Sequence, residues 1–80
     1  MDAQIRTLIA LGASAAANCR PCLEHHLGEA RRAGLADDQI AEAIEIGIQV
    51  NEGAARQTQT FVRTLLQGEL PRAASARSCC

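Results

Sequence analysis

Asn18-Cys19-Arg20-Pro21-Cys22-Leu23-Glu24-His25-His26 sets two cysteines three residues apart and a histidine four beyond the second. The apolar pattern on both sides has helical period, so the segment reads as a short connector running into the first turns of a helix. Pro21 suits the first helical position, where a missing N–H costs nothing. Cys22 then falls in the first turn, near unpaired N–H groups and the positive end of the helix dipole, which favour a thiolate. His26 lies one turn after Cys22 on the same face. A thiol, a second thiol within disulfide reach and an imidazole that can move a proton make a dithiol redox centre.

Around this segment the chain is short. Eighty residues with one Phe (Phe61), no Trp and no Tyr make a single domain with little bulk for a core. A chain of this size buries only about 60% of its unfolded surface. Much of its apolar count is Ala, which buries little area. Association is the usual remedy, so an oligomer is expected.

The net charge of −1 and pI near 6.0 give no bulk attraction to nucleic acid or to an anionic membrane. All eight basic residues are Arg. Arg56, Arg63, Arg72 and Arg77 make the C-terminal part mildly basic, read as a solvated face. No apolar run reaches the ~18 residues of a membrane span. Residues 8–17 loosely resemble the apolar core of a secretion signal, but an acid (Asp2) precedes them, and cleavage before Cys19 would discard a helix needed for packing. A cytoplasmic location is expected, where a Cys-x-x-Cys pair is redox-active or metal-binding more often than structural.

The order of elements follows from periodicity and breakers. Helix one is expected from about Asp2 to Ala17, with Ile5, Leu8, Ile9 and Gly12 or Ala13 on one stripe. Its small run from Gly12 to Ala17 invites a close neighbour, expected to be helix two or another subunit. Helix two runs from near Pro21 to before Gly34, a natural C′ residue, with Leu23, Leu27, Ala30 and Ala33 or Gly34 inward. Helix three begins after Ala36, with Asp37 and Asp38 as cap and first-turn acids and Ile40, Ala43, Ile44, Gly47 and Ile48 on its stripe. Asn51-Glu52-Gly53 reads as a break. Helix four is expected from Ala54 to Gln67, burying Ala54, Thr58, Phe61 or Val62 and Leu65. The expectation is a compact all-α bundle of about four helices over residues 1–68, and a flexible tail over 69–80 that ends in Cys79 and Cys80.

The segment from Leu8 to His26, with the Ala33-Gly34-Leu35 connector and Gln39 to Ile44, resembles the alkylhydroperoxidase (AhpD-like) branch of the carboxymuconolactone decarboxylase family. The likeness covers roughly residues 5 to 66. It implies an oligomeric helical fold, a trimer or a hexamer built from dimers, and reduction of a small peroxide or disulfide. No bound cofactor is implied; electrons would come from a dithiol protein or a lipoyl-type group. By position, Cys22 would be the attacking thiol, Cys19 the resolving thiol and His26 the proton relay. The family's decarboxylases lack the cysteine pair, so decarboxylation is not implied. A carboxylate common in the family twelve residues before the first cysteine is Thr7 here, which leaves water, His25 or Glu24 to assist.

The dithiol also admits two roles outside peroxide or disulfide reduction. It could serve a non-enzymatic oligomer as a redox sensor. It could also hold zinc through Cys19, Cys22 and His25 or His26, although the usual second ligand pair is missing unless Cys79 and Cys80 supply it. A c-type haem is excluded because Leu23, not His, follows the second cysteine.

Overall fold

A computed structural model describes residues 1–68, which form three helices: α1 (Ala3–Ala16), α2 (Arg20–Arg32) and α3 (Asp37–Leu66). Among the described residues there is no strand. The C-terminal tail expected over residues 69–80, with Cys79 and Cys80, lies outside the described residues.

Each helix boundary has a local cause. Asp2 caps α1, its carboxylate accepting from the Ile5 N–H at 2.8 Å. At the other end Asn18 adopts φ +56°, the left-handed conformation that asparagine tolerates better than most residues. The Asn18 N–H then donates to the Ala15 carbonyl and the Cys19 N–H to the Ser14 carbonyl, the paired bonds of a Schellman turn. Gly34 (φ +77°) ends α2 the same way: Gly34 donates to Arg31, and Leu35 donates to Ala30. Leu35 and Ala30 are both buried, which supplies the apolar contact that accompanies such turns.

The core is small. Leu11, Ala30, Leu35 and Ile40 are buried, with Leu8, Leu23, Leu27, Ala43 and Ile44 packed around them. The inward residues of α2 are those read from the sequence. On α1 the stripe is rotated from expectation: Leu11 and Ala15 are inside, while Ile5 and Ile9 are exposed. The rotation follows from how α3 crosses α1. A Cβ added at Gly47 would overlap the Gly12 carbonyl and lie 2.9 Å from the Ala15 Cβ, and one at Gly12 would meet the Ala43 carbonyl oxygen at 3.1 Å. The backbones touch at these glycines, so α3 takes the place against the small-residue run expected for helix two or another subunit, and the face bearing Leu11 and Ala15 turns inward.

The break expected at Asn51-Glu52-Gly53 does not occur, and the segment expected as a fourth helix is the second half of α3. Asn and Gly each cost at most about 1 kcal/mol in a helix interior, too little to end one that continues well on both sides. Asn51 also avoids bonding its own backbone. Its side-chain amide donates to the Ala16 carbonyl at 2.9 Å, satisfying an orphan acceptor at the end of α1.

A 30-residue helix spans about 45 Å, while the 14-residue α1 spans about 21 Å. Among the described residues, the second half of α3 therefore runs on past the end of α1, where Asn51 meets Ala16. Ala54, Thr58, Phe61, Val62 and Leu65, expected to face inward, are exposed.

The glycines should respond oppositely to alanine. Gly28→Ala adds a Cβ that meets only the Arg32 side chain at 3.5 Å, so it should gain up to about 1 kcal/mol of helix propensity. Gly47→Ala should lose about 1–3 kcal/mol net, because the obstacle is the Gly12 backbone. Urea denaturation midpoints should move in opposite directions.

Candidate active site

The turn that ends α1 also begins α2. Cys19 is the N-cap, Arg20 the first helical residue and Pro21 the second, one place later than the sequence reading put it. The Cys19 Sγ accepts from the Cys22 N–H at 3.3 Å, so a sulfur holds the capping place usually taken by a side-chain oxygen. Cys19 and Cys22 are joined as a disulfide, with Cα atoms 5.2 Å apart, and both are half-buried. The pair thus sits in the first turn of α2, at the positive end of its dipole.

His26 lies one turn beyond Cys22 and is half-buried. Its Nδ1 is 2.7 Å from Glu29 Oε1. A carboxylate only accepts, so the imidazole donates Nδ1–H and Nε2 is left for other work. His25 is more exposed. Its Nε2 is 3.5 Å from the same oxygen, too far for a hydrogen bond. The two imidazoles meet edge to face, with ring centroids 5.0 Å apart.

The hydrogen bond from His26 holds the Glu29 carboxyl below its usual value of 4.5, with the charges of His25, His26 and Arg32 assisting and partial desolvation opposing. Glu29 escaped the sequence reading. Its signal was the three-residue spacing from His26, which brings two side chains together on a helix.

The remaining candidates are not gathered at this place. Thr7 is on α1, and its hydroxyl donates to the Ala3 carbonyl of its own helix at 2.8 Å. Glu24 is exposed on α2. A cavity of about 460 Å³ adjoins the start of α2, lined by Ala15, Asn18, Arg20, Leu23, Ile44 and Ile48. A larger one, about 610 Å³, lies between α1 and α3 and takes no residue from the dithiol segment. Among the described residues, His25, His26 and Glu29 bring their donor atoms within 4.8 Å of one another, a spacing that could admit a divalent cation. The cysteines offer no thiolate while they are disulfide-bonded.

With this geometry in place, comparison with known proteins gives the family. Residues 1–62 match the carboxymuconolactone decarboxylase family, and the chain belongs to it. The family includes both decarboxylases and peroxidases. The chain is also 36% identical over 55 residues to "Uncharacterized protein 4 in cox locus" of Paracoccus denitrificans, covering 69% of this chain and 50% of that protein. It therefore spans about half the length of that relative. No solved structure matches it. No helix among the described residues is long and apolar enough to cross a membrane.

The depressed Glu29 carboxyl sets the behaviour expected in acid. A carboxyl depressed on folding contributes stability above its unfolded value and loses it as pH falls through the depressed folded value. Between about pH 5 and pH 3, wild type should lose more stability than Glu29→Gln, read as urea midpoints. Equal slopes would mean that the His26–Glu29 pair does not persist in solution.

Proposed function

We propose that this chain is a thiol-dependent oxidoreductase of the AhpD-like kind, reducing a small peroxide or disulfide with the Cys19–Cys22 pair. The observation that carries the reading is a Cys-x-x-Cys disulfide closed across a helix start, with an imidazole one turn further on. Family membership and the cavity beside Arg20 and Leu23 support it.

In the reduced protein, the Cys22 thiolate attacks a peroxide oxygen and the O–O bond breaks. Cys22 becomes a sulfenic acid, and the leaving alkoxide takes a proton from His26 to depart as an alcohol. The Cys19 thiol then gives its proton to His26 and attacks the Cys22 sulfur, forming the disulfide, and the departing hydroxide takes that proton and leaves as water. An external dithiol protein or lipoyl-type group reduces that disulfide and is itself oxidised. The sum is one peroxide and one dithiol converted to alcohol, water and one disulfide. With a disulfide substrate the same pair exchanges through a mixed disulfide. These steps fit a reducing cytoplasmic setting and need no bound cofactor.

Turnover with a panel of peroxides and dithiol donors tests the reading. Cys22→Ser should abolish turnover, and His26→Ala should slow it about 10²-fold, the low end for a general acid–base group. His25→Ala should do much less. Cys22 should also alkylate faster than Cys19. Equal effects from the two histidines, or none from either, would count against the relay.

A second reading, a non-enzymatic oligomer holding a metal ion, draws on the His25, His26 and Glu29 donors together with the thiols freed on reduction. Zinc titration of the reduced protein, followed by a peroxide assay in chelator, separates the two. Tight zinc binding without turnover favours the metal site.

The working form should be a homo-oligomer, either a trimer or a hexamer built from dimers. Ile9, Ile46 and Val50 line an open apolar groove, and Phe61, Val62, Leu65 and Leu66 are exposed beyond it. A core this small leaves one subunit near the limit of independent stability. Sedimentation at micromolar concentration should find no stable monomer, and a well-folded monomer would overturn this point.

A further inference from the structure

We infer that Glu29 is the positioning residue of the dithiol centre, holding His26 in the tautomer whose Nε2 is free to exchange a proton with the Cys22 thiol. The inference rests on the dithiol reading of the same segment and adds a residue to it.

Two imidazoles approach one carboxylate oxygen, and they approach it differently. His26 Nδ1 is 2.7 Å from Glu29 Oε1, the length of a charge-assisted hydrogen bond. His25 Nε2, at 3.5 Å, makes none. Glu29 therefore distinguishes between neighbouring histidines that the sequence alone presents as near equals. Glu29 is three residues beyond His26 and four beyond His25, both within reach on a helix, and the two rings meet at 73°, so they present their nitrogens to the carboxylate differently.

An unconstrained imidazole can carry its proton on either nitrogen. A proton on Nε2 would leave that nitrogen unable to accept one from a thiol. A carboxylate on Nδ1 fixes the proton there and stabilises the imidazolium that forms when the thiol ionises. Glu29 can do so because it is itself ionised across the neutral range: the His26 hydrogen bond and the charges of His25, His26 and Arg32 depress its carboxyl. On α1, Thr7 offers no carboxylate, and its hydroxyl is bonded to Ala3. The carboxylate of this centre comes from α2, on the C-terminal side of the histidine.

The test compares reduced wild type with Glu29→Ala and His25→Ala in metal-free buffer. Nitrogen-15 shifts of the imidazoles report the tautomer, and iodoacetamide reports Cys22 reactivity. In wild type, His26 should be protonated on Nδ1. Glu29→Ala should move its neutral form toward Nε2–H and slow Cys22 alkylation about 10-fold, less than the ~10² expected for removing the imidazole itself. His25→Ala should leave the His26 tautomer in place. Circular dichroism should show unchanged helix content, since alanine suits an α-helix.

A His26 tautomer that ignores Glu29→Ala overturns the inference, and so does an alkylation rate that ignores it. Neither readout needs peroxide turnover. A wild-type Cys22 no more reactive than Cys19, with no turnover of any substrate, overturns the dithiol reading instead.

Discussion

The Cys19 amide bonds the Ser14 carbonyl at the end of α1, and the Cys19 sulfur receives the Cys22 amide at the start of α2. One residue thus closes one helix and opens the next. The arrangement depends on Asn18 taking a left-handed backbone conformation, which turns the chain sharply enough for the two helices to share a junction. Pro21, with no N–H to satisfy, fits in the first turn without leaving an orphan donor. The dithiol therefore sits on a fixed corner of the backbone and not on a loop. Chemistry at Cys19 is chemistry at a helix cap.

Features set by local chemistry were legible in the sequence. The cysteine spacing, the helix start beside Pro21, the stop at Gly34 and the inward face of α2 depend on neighbours within a turn or two. The Gly47 close approach was also legible, because a glycine on an apolar stripe leaves a gap that another backbone can fill. The misreadings share a different cause. Asn51-Glu52-Gly53 looks like a break when propensity is summed locally, yet Asn51 bonds Ala16, 35 residues away. The stripe on α1 was placed by hydropathy, whereas the glycine crossing, a contact between distant backbones, decides which side faces in. Glu29 lies just past the cysteine–histidine segment and was missed, although its three-residue spacing from His26 was visible.

The apolar surface is distributed in a way that sets this small domain apart from a closed bundle. Among the described residues, Leu11 alone of the large side chains is completely buried. The core is concentrated where α1, α2 and the first half of α3 meet, which is also where the dithiol junction is anchored. Ile9, Ile46 and Val50 remain open on the groove between α1 and α3. The uncovered apolar area thus runs along the α1–α3 groove beside that core and continues onto the second half of α3.

That division gives α3 two halves of unlike character. In the first, backbone amides are shielded by α1 and open only when the packed core opens. In the second, residues 54–66, most side chains are exposed among the described residues, and a short helical segment with little tertiary support frays readily in water. Amide hydrogens there should exchange quickly wherever the chain is alone and slowly wherever another surface covers them. The protection pattern along one continuous helix would then act as a built-in gauge of assembly, with the first half as its internal reference.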